Sequence, residues 1–238
     1  ADAGVDMQQA KEIGLTDEDT VLLMGDVFAD DVEVGNTSTF SLNFNFDIDE
    51  IESQNVTLNF AGEHNISNAL AAAACAQALG LSIDDIAKGL DAAKPAKGRL
   101  NFIEFGRHTL VDDTYNANPS AVIAATQVLV SQGAPTLLVL GDIGELGDAA
   151  QEEHRKLGEA IAASGVTVLY TVGELTPVTV AQAQASGMQA QAYPDKATLL
   201  AAIKDKLTSS DDAWHILFKG SRYMRMEQII DELTRQPF

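Results

Sequence analysis

Residues 136–154 read Thr-Leu-Leu-Val-Leu-Gly-Asp-Ile-Gly-Glu-Leu-Gly-Asp-Ala-Ala-Gln-Glu-Glu-His. The apolar run Thr136–Leu140 is too short for a buried helix and ends at a glycine, which is the pattern of a strand covered on both faces. A helix over Ala149–Ala163 follows. Gly141, Gly144 and Gly147 fall between the two, where a dinucleotide-binding turn has its glycines. Their spacing is G-x-x-G-x-x-G, however, and Asp142, Glu145 and Asp148 would repel a pyrophosphate at the helix start. Dinucleotide binding is therefore excluded here. The three carboxylates suit an ammonium, the N–H groups of a base or a metal, or they simply favour the helix N-terminus through its dipole.

The same alternation continues in both directions. Helices are expected at Ser120–Gln132, Thr176–Ser186, Lys196–Thr208 and Tyr223–Leu233, and strands at Val166–Val172, Met188–Ala192 and His215–Phe218. "RLNFIEFGRHTLVDD" reads as a hairpin turning at Gly106. Strands separated by helices require crossover connections, hence a mostly parallel sheet covered on both faces. The fold class is α/β, with a Rossmann-like second domain.

Upstream the pattern changes. A short helical piece is expected around Met7–Ile13, then the apolar run Val21–Met24 and alternating segments at Thr39–Phe46 and Asn55–Phe60. In "TFSLNFNF" the apolar residues Phe40, Leu42, Phe44 and Phe46 recur every second position, as in a half-buried antiparallel strand. Gly62–Asn68 leads into an alanine-rich helix, Asn68–Leu79, stopped by Gly80. A second helix is capped by Ser82. Pro95, Lys97 and Gly98 break both periodicities, so domains are expected at 1–96 and 97–238.

The formal charge is −20, from 15 Lys plus Arg against 35 Asp plus Glu. Generic binding to nucleic acid or to an anionic membrane is disfavoured, and any phosphate must be met by local cations. The single cysteine, Cys75, reads as a small buried apolar residue in its alanine-rich helix. It has no partner for an internal disulfide, which fits a reducing cytoplasm. No signal peptide opens the chain, and no apolar run approaches the roughly 18 residues of a membrane span. His64, His108, His154 and His215 lack metal-ligand spacing, so no residue is expected to hold a metal. Neither G-x-S-x-G nor G-x-x-x-x-G-K-[ST] occurs.

Three places carry enough polar chemistry to be candidate sites. Leu110–Pro119, "LVDDTYNANP", sits at the carboxyl end of a strand, where open α/β sheets collect ligands. Asp112 and Asp113 can accept from sugar hydroxyls or hold a metal, and Asn116 and Asn118 both donate and accept. The alternative is that Asn118 only caps the next helix, with Pro119 at its first position. Lys219-Gly220-Ser221-Arg222 puts two cations and a hydroxyl on a flexible turn, suited to a carboxylate or phosphate. Arg99, beside Gly98, is a further cation at the domain boundary.

In order along the chain, G-E-H-N-x-x-N-A-L-A-A-A-A, G-R-L, D-D-T-Y-N-A-N-P, G-D-x-x-E-L-G with a later His, and K-G-S-R-x-x-x-M-E resemble the Mur ligases. Within that family the resemblance is to the member that adds D-alanyl-D-alanine to UDP-N-acetylmuramoyl-tripeptide in peptidoglycan synthesis. It implies ATP-dependent amide ligation through an acyl phosphate, with ATP and Mg²⁺ as cofactors and the tripeptide precursor and D-alanyl-D-alanine as partners. It also implies a cytoplasmic monomer with no nucleic-acid partner and no membrane insertion. The family has three domains. The first domain and the phosphate-loop half of the second have no counterpart here, so a fragment is expected. Residues 1–96 would be the α+β tail of the central ATP-binding domain, and the chain alone would be inactive.

Carried over by motif, Asn68 resembles the amide that reads adenine, with Asn65 and His64 in the same helix-leading turn. Arg99 resembles the arginine that reaches the γ-phosphate, and Asp113 the carboxylate that accepts the ATP ribose hydroxyls. Tyr115 and Asn116 would line the nucleotide crevice, and Asn118 the substrate side. Lys219, Ser221 and Arg222 would face the amino-acid substrate, with Arg99 and Lys219 as catalytic cations. The alternatives are another Mur-type or folylpolyglutamate-type ligase, which usually carry D-Y-x-H-x-P at this point, or a non-catalytic nucleotide- or substrate-binding module.

Overall fold

The computed structural model describes residues 22–24, 27–47, 50–133 and 135–235. The chain divides into two compact units, Ala1–Pro95 and Ala96–Phe238. The helical piece expected around Met7–Ile13 lies outside the described residues.

In the first unit, β1 (Leu22–Met24), β2 (Val27–Val34), β3 (Ser38–Asp47) and β4 (Glu50–Leu58) form an antiparallel sheet in sequence order. The alternation in β3 drives Phe40, Leu42 and Phe44 into the core, against Ile66, Leu70 and Ala73 of helix α1 (Glu63–Ala78). The strand expected at Asn55–Phe60 is instead Glu50–Leu58. Helix α1 starts five residues before the expected Asn68, because Gly62 takes φ 89 and the helix begins directly after it. His64, Asn65 and Asn68 thus lie in its first two turns rather than in a leading turn. Its end is as expected: Gly80 is left-handed at φ 83, with Gly80 N–H donating to Gln77 O and Leu81 N–H to Ala76 O. These two bonds satisfy the last carbonyls in a Schellman arrangement. Helix α2 (Ile83–Ala92) follows, with Ser82 Oγ accepting from Asp85 N–H.

Cys75 is exposed, contrary to expectation. The core face of α1 is set by Ile66, Ala69, Leu70 and Ala73. At 100° per residue, position 75 points away from that face.

The second unit is an α/β layer structure. It runs β5 (Asn101–Phe105), β6 (His108–Asp113), α3 (Pro119–Ser131), β7 (Thr136–Gly141), α4 (Ala150–Ala163), β8 (Val168–Val172), α5 (Thr176–Ala185), β9 (Gln189–Tyr193), α6 (Lys196–Thr208), β10 (His215–Lys219) and α7 (Glu227–Arg235). The sheet order is β5-β6-β10-β7-β8-β9, parallel except for β5, which pairs antiparallel with β6 across the Gly106 turn. Strand β10 sits between β6 and β7, so that Lys219 stands opposite Asp113 on one side and Leu140 on the other.

Buried Leu110, Leu137, Val139, Val168, Ile216 and Phe218 build one core with Leu199, Ile203, Ile229 and Leu233 of the helices. Helices α4 and α5 meet at Gly158, where an added Cβ would lie 2.3 Å from Thr179 O. Strand β8 begins at Val168 rather than at the expected Val166. Thr136 and Thr167 exchange backbone N–H to hydroxyl bonds of 3.0 and 2.9 Å just before it, in place of ladder bonds. The helix expected over Tyr223–Leu233 is interrupted. A 3-10 turn at Arg222–Met224 ends in Arg225 at φ 48, and α7 starts only at Glu227. No helix among the described residues is long and apolar enough to cross a membrane.

Candidate functional site

At the carboxyl ends of β6, β7 and β10, three loops from distant parts of the sequence converge. Strand β6 ends in two buried aspartates with different surroundings. Asp112 Oδ1 accepts from Thr114 N–H and Thr114 Oγ1 and so closes the turn that leaves the strand. Asp113 Oδ1 accepts from Leu100 N–H at 3.3 Å, while Oδ2 meets Lys219 Nζ at 2.5 Å. Each Asp113 oxygen keeps a further lone pair.

Lys219 is 1% exposed and also donates to Asn116 O at 3.0 Å. This corrects its expected place: its ammonium is turned inward and engaged, not presented to an incoming carboxylate. The cause is the register of β10 on β6, which puts Lys219 and Asp113 side by side. Removing a charge from water at that depth is costly, and the Asp113 carboxylate offsets the cost.

Tyr115 is exposed and carries two cations. The Arg99 guanidinium lies 4.4 Å from its ring centroid and that of Arg222 lies 6.0 Å away, within cation–π range. The loop that bears Arg99 is held by Tyr115 N–H donating to Gly98 O at 3.0 Å, and Gly98 is left-handed at φ 77. A Cβ there would approach Tyr115 N to 3.0 Å, so glycine is required both for conformation and for space.

Asn116 Oδ1 accepts from Arg222 N–H at 3.3 Å and ties the first loop to the third. Asn118 is the N-cap of α3, accepting from Ala121 N–H at 2.8 Å, with Pro119 in the first turn. The side-chain oxygen of Asn118 is therefore used by the helix, the alternative to its expected place on the substrate side. Ser221 Oγ is buried, accepting from Gly144 N–H at 2.7 Å and donating to Ala117 O at 3.4 Å. Arg222 is largely exposed and pairs with Glu227 at 3.1 Å.

The middle loop, residues 142–147, is pinned from several sides. Asp142 is 4% exposed and caps α5 from outside it, accepting from Glu174, Leu175 and Thr176 N–H at 2.7, 3.0 and 2.9 Å. Its carbonyl accepts from Ser221 N–H at 3.0 Å. Asp142 thus answers the free donors of a helix start and does not face a ligand. Ile143 N–H donates to Nε2 of fully buried His154 at 3.3 Å, which leaves Nδ1–H to donate to Thr179 Oγ1 at 2.8 Å. Burial holds the His154 pKa below 6.5, against the opposing pull of Asp142 and of the Ile143 bond. Glu145 and Asp148 are exposed.

These loops enclose a cleft of about 460 Å³ lined by Asn116, Gly144, Glu145, Ser221, Arg222, Tyr223 and Arg225, a size that suits a small ligand. Burial raises the pKa of Tyr223, and Asp142 and Glu174 add to the effect. Tyr223 and Arg225 were not among the residues expected from sequence. They occupy unspecified positions of K-G-S-R-x-x-x-M-E, and a second cation three residues after Arg222 was the available signal. The structure brings Arg99, Asp113, Tyr115, Asn116, Lys219, Ser221 and Arg222 into one neighbourhood. Asn65 and Asn68 belong to the first unit. There Asn65 Nδ2 donates to Ala61 O at 2.7 Å and Asn68 Nδ2 to Asn65 Oδ1 at 3.3 Å.

Among the described residues no three His, Cys, Asp or Glu side chains gather as metal ligands. With Asp113 already joined to Lys219, these residues do not form a Mg²⁺ cage.

Comparison with known proteins identifies relatives. Over 182 residues the chain is 38% identical to the UDP-N-acetylmuramoyl-tripeptide–D-alanyl-D-alanine ligase of Escherichia coli (strain K12), covering 76% of this chain. The ligase of the same name from Bacillus subtilis (strain 168) is 34% identical over 182 residues, 74% of this chain. The chain spans 39% of the length of each of these two relatives. A crystal structure of MurF from Acinetobacter baumannii is similar at a TM-score of 0.80 and 40% identity, covering 89% of this chain and 46% of that one. The family model described as "Mur ligase, glutamate ligase domain" matches residues 98–222, which run from Gly98 beside Tyr115 to Arg222 in the cleft. The chain belongs to the Mur ligase family.

Proposed function

We propose that this chain serves an ATP-dependent ligase that joins D-alanyl-D-alanine to UDP-N-acetylmuramoyl-tripeptide, acting as a monomer in the cytoplasm. Residues 1–96 would belong to its central ATP-binding domain, and 97–238 would be its C-terminal ligase domain. The observation that carries this reading is the convergence of D-D-T-Y-N-A-N-P, G-D-x-x-E-L-G and K-G-S-R on one cleft, although the first and the last are offset by 106 positions in sequence.

When bound, ATP would supply the phosphoryl group that activates the precursor's carboxylate. Asp113 would accept from the ribose hydroxyls through its free lone pairs, held in place by Lys219, which is a positioning residue in this reading. Arg99, resting on Tyr115, would offer its guanidinium to a phosphoryl oxygen. Asn65 and Asn68 are proposed to contact the base, and Arg222, with Asn116 and Ser221 fixing its loop, to meet the carboxylate of the dipeptide.

The test supplies the protein bearing this chain with the tripeptide precursor, ATP and Mg²⁺, and compares amines by phosphate release. Release with D-alanyl-D-alanine and not with glutamate, lysine or diaminopimelate is expected. Release with lysine or diaminopimelate instead would move the assignment to another Mur-type ligase. Release with glutamate only when a folate replaces the precursor would move it to a folylpolyglutamate-type ligase, and none with any pairing would favour a binding module.

A further inference from the structure

The described non-glycine residues with left-handed backbone are Asp31, Leu100, Glu145 and Arg225. Two of them, Glu145 at φ 64 and Arg225 at φ 48, line the same cleft from facing loops. They carry opposite charges. A side chain with a Cβ takes this conformation at a cost, and such strain persists only where the surroundings impose it. Here they do. The residues before Glu145 are fixed by Ser221, by His154 and by the N–H groups of α5. Arg225 is fixed by its own N–H to Arg222 O and by Lys196 Nζ donating to its carbonyl at 3.1 Å.

Among the described residues neither the Glu145 carboxylate nor the Arg225 guanidinium has a hydrogen-bond or ion-pair partner, and the two do not pair with each other across the cleft. Arg222, by contrast, is already paired with Glu227. A cleft with a free anion at one wall and a free cation at the other disfavours a dianion such as phosphate, and equally a simple cation. It suits a molecule charged at both ends.

Resting on the function proposed above, we infer that the cleft is a zwitterion site in which Glu145 takes the ammonium of the dipeptide and Arg225 its carboxylate. Glu145 is then the specificity residue for a free amine, and Arg225 is the primary carboxylate partner, with Arg222 beside it.

The test titrates the 238-residue chain with D-alanyl-D-alanine, its N-acetyl derivative and its C-terminal amide, following backbone amide shifts by NMR. The free dipeptide is expected to bind wild type about tenfold tighter than either derivative, as for the loss of one charge-assisted bond. Glu145→Gln should weaken the free dipeptide about tenfold and leave the acetylated one unchanged, which abolishes that preference. Arg225→Gln should do the same for the amide. Glu145→Gly removes the carboxylate and relieves the backbone, so it should lose the preference while melting higher than wild type. Equal binding of all three probes by wild type, or a preference that survives both Glu145 variants, overturns the zwitterion site and leaves the proposed function standing. Binding of none of the probes overturns the dipeptide assignment and this inference together.

Discussion

Asp113 and Lys219 face each other on neighbouring parallel strands and close an ion pair of 2.5 Å that is almost wholly buried, although 106 residues separate them. Removing one partner leaves an uncompensated charge in the core. Asp113→Asn and Lys219→Met should each lower unfolding stability by about 3–5 kcal/mol. The double variant should lose less than their sum, by at least about 1 kcal/mol. Denaturant unfolding followed through Trp214, the single and buried tryptophan, measures this cycle. Strict additivity would mean that the two charges do not depend on each other.

Gly158 sets helix propensity against packing. In an exposed helix interior, Gly→Ala is worth about 1 kcal/mol of added stability. Here the new methyl would meet Thr179 O at 2.3 Å, so α4 and α5 must move apart. Gly158→Ala is expected to destabilise by about 1–3 kcal/mol. A raised melting temperature would show that the two helices separate without cost.

His154 gives a pH signature. Burial keeps its folded-state pKa below 6.5, so between the two pKa values the unfolded chain holds the extra proton. The contribution of His154 is therefore complete above about pH 6.5 and is lost as pH falls below it, by up to about 1.4 kcal/mol per pH unit. His108, which burial and Arg107 also depress, adds a share of the same sign. His154→Asn should flatten the fall in stability between pH 7.5 and 5.5 without removing it. An unchanged slope would mean that His154 titrates alike in both states.

Cys75, on the outer side of α1, should react with a thiol reagent in the folded protein. One equivalent is expected per chain, at a rate within a fewfold of that in denaturant. Protection until global unfolding would show that the helix faces the other way.

Much of the second unit was legible because its elements announce their own ends. Helix α6 runs over Lys196–Thr208 as read, with Asp195 Oδ1 accepting from Thr198 N–H at its start. The hairpin at Gly106 and the cap at Asn118 follow from local chemistry in the same way. What was not legible depends on partners distant in sequence. Nothing near Lys219 says that β10 enters between β6 and β7, and so the inward turn of its ammonium was missed. Cys75 was misread because alanines on every face of α1 blur its periodicity, although Ile66, Leu70 and Ala73 already mark the buried side. At residue 225 arginine is a good helix former and suits a continuing helix, whereas its left-handed backbone goes with contacts to Lys196 and Arg222.

The place of β10 has a consequence for how the protein is made. Its partners β6 and β7 are both synthesised well before it, and they become neighbours of the strand that follows every other strand of this sheet in sequence. Until then their inner edges lack the bonds that β10 supplies, and open edges of that kind invite mispairing and chaperone attention. Ser221, Arg222 and Arg225 follow β10 directly, so the walls at Asn116 and Glu145 enclose a cleft only once β10 is in place. Completion of the sheet and appearance of the cleft are a single event.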